Sequence, residues 1–154
     1  MTKYLILGFA LIIGISVYYT GLYIYFIRTD IQENLPQPTE TDESAQEIIS
    51  GEFITVDLIH KGSGQARLIR VDGKNILRFE NFNVTNGPDL YVYLSKSASP
   101  TGDLASLEDY IDLGPLKGDS GNQNYEINGE VAGYRTAIIW CKRFGVLFTY
   151  AVME

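Results

Sequence analysis

The chain of 154 residues has one cysteine, one histidine and one tryptophan. A single cysteine excludes an internal disulfide, so the fold must hold itself by its core. With a single histidine, any Ser–His–Asp set would have to use His60, and no serine stands in a nucleophile-elbow pattern. No basic stripe marks a phosphate-binding face, and the net charge of −7 argues against nucleic acid as a partner. The carboxylates form no diagnostic motif. "GDSGNQ" (118–123) lacks the ligand spacing of a calcium loop and reads as a glycine-rich turn. After residue 51 no segment carries the period of a long amphipathic helix.

Charge is missing altogether from "YLILGFALIIGISVYYTGLYIYFI", residues 4–27. As a helix this run reaches roughly 36 Å, more than a hydrocarbon core of ~30 Å. Tyr18, Tyr19, Tyr23, Tyr25 and Phe26 crowd its C-terminal end, as interfacial aromatics do. The run is too long for a cleaved signal peptide, and no Ala-x-Ala site follows it. Residues 1–28 are therefore expected to be an uncleaved signal-anchor helix, single-pass in the cell membrane. Its short tail stays in the cytoplasm and the C-terminal domain lies outside. Residues 29–49 carry six carboxylates, no base, and Pro36 and Pro38. They are expected to be an extended linker that holds the domain clear of the bilayer.

Residues 50–154 read as all-β, an antiparallel sandwich of about eight strands. Residues 52–60 alternate, with Ile54, Val56 and Leu58 expected on one face. Residues 65–71 and 74–82 flank Asp72-Gly73, a two-residue hairpin signal. "NGPD" (86–89) is a turn before the alternating strand 90–95. "SLEDYI" offers one helical turn, 114–123 a loop, and 124–127 a short strand. Residues 134–141 and 144–153 are apolar on both faces, as central strands are.

Two residues carry candidate chemistry. In strand alternation Cys141 shares a face with Ala137 and Ile139, and Trp140 the other with Tyr134 and Ile138. Lys142 and Arg143 form the turn that follows, and cations there favour the nucleophilic thiolate. Cys141 is thus a candidate redox thiol. Its alternatives are a small buried hydrophobe and an intermolecular disulfide. His60 extends the face of Ile54, Val56 and Leu58, as a core histidine at a strand end. Alternatively it joins Cys141 in a two-ligand iron or copper site, the pair being the candidate cofactor-binding residues. The residues alone indicate no haem and define no metal centre.

Residues 51–154 resemble the DM-thirteen domain, described as an electron-transfer domain. Such domains stand beside DOMON and cytochrome b-type domains in animal Skeletor-like proteins and alone on bacterial ones. The resemblance runs through Gly51 and Phe53, "HKGSGQARL", "LRFENFNVTNGPDLYVYLS", "YIDLGPLKGDSGNQNYEI" and "IIWCKRFGVLFTYA". It implies that the family's near-invariant cysteine falls on Cys141, followed by Phe144, Val146, Phe148 and Ala151 of its pattern. It implies redox work through that thiol, bare or holding a prosthetic group such as haem, with His60 where such domains show a histidine. The partner electron-transfer domains of the animal proteins are missing here, so a circuit would need a separate redox partner protein. The expected function is a membrane-anchored extracytoplasmic redox domain acting through one cysteine. The alternative is a non-enzymatic surface binding module in which that cysteine is structural.

Overall fold

The computed structural model describes residues 2–20, 28–38 and 45–154. Helix α1 (Thr2–Thr20) is rich in Leu and Ile and apolar on every side rather than along one stripe. Among the described residues no helix is long and apolar enough to cross a membrane. Residues 21–27, which complete the expected span with its late tyrosines, lie outside the described residues, as do 39–44 of the expected linker.

Among the described residues, ten strands form two five-stranded sheets packed face to face. They are β1 (Asp30–Gln32), β2 (Gln46–Glu52), β3 (Ile54–Thr55), β4 (Gly62–Val71), β5 (Lys74–Val84), β6 (Leu90–Ser95), β7 (Tyr110–Pro115), β8 (Ser120–Ile127), β9 (Thr136–Cys141) and β10 (Val146–Val152). One sheet runs β1-β8-β5-β4-β2 and the other β3-β10-β9-β6-β7. The β4–β5 hairpin turns at Asp72 and Gly73, both at positive φ (49° and 74°), as a two-residue loop of that type demands. The helical turn expected over 106–111 is not formed there: a 3-10 turn spans Leu104–Leu107, and Tyr110 and Ile111 begin β7.

The sandwich is not wholly antiparallel. β1 lies parallel to β8, with Ile31 opposite Gly121. Gly121 (φ 99°) permits this, because a Cβ there would collide with the Ile31 carbonyl. β1 and the start of β2 fall inside the stretch expected as linker, and the acids there find partners. Glu33 takes the Lys117 ammonium at 2.7 Å and the Asn124 amide at 2.6 Å. Glu47 pairs with Arg67, which also holds Glu80 at 3.1 Å, and Glu80 holds Arg78 at 2.7 Å. Burial alone would raise the Glu33 and Glu80 carboxyls, but Lys117 and Asn124 at the first and the two arginines at the second bring both below their usual value.

The segment 52–60 also departs from expectation. The chain leaves the first sheet after β2 and enters the second at β3, and Phe53 at the crossing points inward. Its ring meets Phe79 and Phe82 at 4.9 and 4.8 Å. The change of sheet resets the alternation, so Ile54, Val56 and Leu58 face outward at 46%, 41% and 89% exposure. The main core fills the space between the sheets with Leu68, Leu77, Phe79, Phe82, Val92, Leu94, Ile139 and Phe148. Each fully buried side chain of this kind contributes ~1.5–3 kcal/mol. A second cluster of Tyr93, Leu107, Ile138, Trp140 and Leu147 covers the outer face of β9. That is why β9 is apolar on both sides. Tyr134 lies outside β9 and packs against the main core, not beside Trp140 as alternation suggested.

Candidate functional site

Cys141 is the last residue of β9, paired with Val146 of β10 and Leu90 of β6. Alternation puts it inward with Ala137 and Ile139, as the sequence indicates, and all three have no exposed surface. The four-residue turn after it closes through the Gly145 amide, which donates to the Cys141 carbonyl at 2.9 Å, with Gly145 at φ 63°. The Lys142 amide donates to the Asp89 carbonyl at 3.0 Å, tying this hairpin to the 86–89 turn. That tie places the Pro88 carbonyl over the sulfur, and the Cys141 thiol donates to it at 3.0 Å.

The electrostatics differ from what two following cations suggest. Burial pushes the thiol pKa up; the backbone amides of Phe144 and Arg143 pull the other way without offsetting it. The guanidinium of Arg143 is the smallest of these influences, and Asp89 opposes it. Lys142 points elsewhere: its ammonium lies 2.7 Å from Asp112 and 3.5 Å from the Tyr91 ring centroid. At neutral pH the sulfur is therefore a protonated donor, not a thiolate.

His60 is not a core residue. It closes the loop 56–60, with Nδ1 2.7 Å from the Asp57 carboxylate and the ring 4.6 Å from that of Phe148. The Asp57 carboxyl falls to about 2 because it accepts the His60 amide, the His60 ring and the Ile59 amide. Phe148 stands between His60 and the 86–89 turn. Its ring touches His60 on one side, and a Cβ on Gly87, the residue before Pro88, would strike it on another. The fold thus brings Cys141 and His60 to one end of the sandwich without joining them.

A haem or metal ion fits this arrangement poorly. Among the described residues no three His, Cys, Asp or Glu side chains converge on a common point. A cleft of about 300 Å³ is lined by Gly87, Asp89, Leu90 and Lys117, and another by Trp140, Lys142 and Gly145. Cys141 lines neither and has no exposed surface to offer a macrocycle. In the glycine-rich "GDSGNQ", Asp119 pairs with Arg28 at 3.0 Å and accepts the Thr29 amide at 2.7 Å. In this closed arrangement the thiol has no exposed surface.

Two contributors were not singled out from the sequence. Pro88 matters through its carbonyl, whose only signal was the "NGPD" turn. Asp57 stands three residues before His60, the spacing at which a short acidic side chain caps a local turn.

Residues 52–153 match the family model described as "Electron transfer DM13". No curated protein and no solved structure matches the chain.

Proposed function

Since this chain belongs to the electron-transfer DM13 family, we propose that it is a membrane-anchored redox module, facing away from the cytoplasm, whose reacting group is Cys141. The anchor reading is supported by the uncharged run 4–27 and its terminal tyrosines. The observation that carries the redox reading is the polar setting of one sulfur inside hydrocarbon. The thiol donates to Pro88, and two amides are turned toward it at the end of a hairpin whose next two residues are exposed. A volume filler needs none of these.

A lone thiol can carry out exchange with a disulfide of a partner protein. The turn 142–145 and the 86–89 turn part, and the Cys141 proton leaves for solvent. The sulfur then bonds to one partner sulfur as the partner S–S bond breaks. The departing partner thiolate takes up a proton, so charge and electrons balance. A dithiol of a second protein then attacks the Cys141 sulfur of the mixed disulfide, freeing the first partner as a dithiol. The other thiol of that second protein displaces Cys141, which takes back a proton. Two electrons pass from the second protein to the first. Opening of the two turns is the gate, because the closed form presents no sulfur.

The second reading, a binding module with a structural cysteine, is favoured by the zero exposure and raised pKa of the thiol. Iodoacetamide labelling of the full chain in detergent, repeated across low urea concentrations, separates the two. Local opening gives labelling that hardly depends on urea, and supports the gate. Labelling that rises with the urea slope of global unfolding makes the cysteine structural and ends the redox proposal.

A further inference from the structure

The loop 56–60 is tightly built, yet it presents apolar side chains to water. The amides of Val56 and Asp57 donate to the His60 carbonyl at 3.0 and 3.3 Å. The Asp57 carboxylate accepts the amides of Ile59 and His60, each at 2.7 Å. The tip of this braced loop is Leu58 and Ile59, 89% and 67% exposed, with Val56 and Ile54 exposed beside them. Adjacent large aliphatic side chains on a rigid protrusion mark a contact surface more than a random surface residue does.

The position of the loop says what covers it. Lys61 is tied to Thr85, its carbonyl accepting the Thr85 amide at 2.9 Å. Arg28, Thr55, Lys61, Thr85 and Asp119 line one cleft of about 410 Å³. Arg28 is the residue directly after the uncharged run 4–27. The chain therefore joins the sandwich at the end that carries the apolar loop. The opposite end has Asp72, Gly73 and Glu130 at its turns instead.

We infer that Leu58 and Ile59 enter the interfacial layer of the bilayer that holds residues 4–27, with the cations of Lys61 and Arg28 at phosphate height. This inference rests on the anchor reading given above. The sandwich is then seated on the membrane rather than swinging at the end of a tether. The turns covering Cys141 lie at this same end, so a partner reaching the thiol approaches along or from within the membrane.

The test is the full chain in phosphatidylcholine–phosphatidylglycerol vesicles, with lipids brominated near the headgroup as quenchers. Leu58→Trp is compared with the parent, whose single Trp140 is buried, and with Glu130→Trp at the far end. The emission added by Leu58→Trp should be blue-shifted and lose most of its intensity to the bromolipid, while that of Glu130→Trp stays unquenched. Adding Ile59→Asp to Leu58→Trp should restore much of the lost emission. If the chain floats with the vesicles but the added indole stays unquenched, the seating is wrong and the anchor stands. If the chain does not float at all, the anchor reading fails and the seating fails with it.

Discussion

Cys141 ends a central strand with its sulfur enclosed and hydrogen-bonded, whereas His60 closes a surface loop with its ring between a carboxylate and Phe148. Each is the only residue of its kind. Their neighbours in the chain point the opposite way in both cases. Two cations follow the cysteine, yet its thiol pKa is raised; an apolar alternation precedes the histidine, yet that segment faces water. What decides each environment is the strand pairing around it. Cys141 is held between β6 and β10, while the two-residue β3 ends before His60 begins. Desolvation at the first site outweighs nearby charge, and a change of sheet at the second cancels periodicity.

The comparison breaks most visibly at Cys141. Cys141→Leu adds volume to a filled site and leaves the Pro88 carbonyl unpaired, so it should cost about 3 kcal/mol or more in denaturant unfolding. A loss below about 1 kcal/mol would mean that the site is roomy, and the contrast with His60 would fail. Cys141→Ala removes the donor without overfilling and should cost about 1–3 kcal/mol in the same measurement.

A smaller effect lies in the pH dependence. The folded thiol pKa is raised, so its contribution is fully present below the unfolded value, about pH 8.5, and is lost as pH rises toward the folded one. Urea midpoints should therefore fall more steeply above about pH 8.5 in the parent than in Cys141→Ala. Parallel curves would contradict the raised pKa. Tyr93, raised to about 12 by burial, adds a slope common to both proteins.

The smallest effect is local to the other side. Asp57 is depressed to about 2, so its grip on the loop is complete above the ordinary carboxylate value and is lost as pH falls through about 2. Amide exchange at Ile59 and His60 should accelerate over that range while Cys141 keeps its protection. Asp57→Ala should produce the same selective acceleration at neutral pH. Acceleration spread into β9 would show that the two sites are coupled through Phe148.

Much of the sandwich was legible. Asp72-Gly73 announced its hairpin, residues 90–95 their strand, and the two-sided apolar runs of β9 and β10 their central place. Period two alone placed Cys141 on one face with Ala137 and Ile139, but with both faces apolar it did not say that this face points inward. The parallel strand β1 was not legible, because three residues in an acidic, proline-bearing stretch carry no periodicity; their place depends on Gly121 ninety residues later. Nor was the partnering of Glu33 and Glu47 with Lys117 and Arg67, since like charges adjacent in sequence read as a solvated tether. The Pro88 carbonyl carried no residue-type signal at all, because every residue has one.

By itself the sequence determined what depends on near neighbours: an uncharged run at 4–27, a set of alternating strands, the turns between them, and the residues that share a strand face with Cys141. Only the tertiary structure decided what depends on distant ones. The sign of the thiol's pKa shift, the carbonyl it bonds and the contact of Phe148 with His60 all arise where segments far apart in the chain exclude water together. Desolvation belongs to the packed assembly, and no local pattern of residues encodes it.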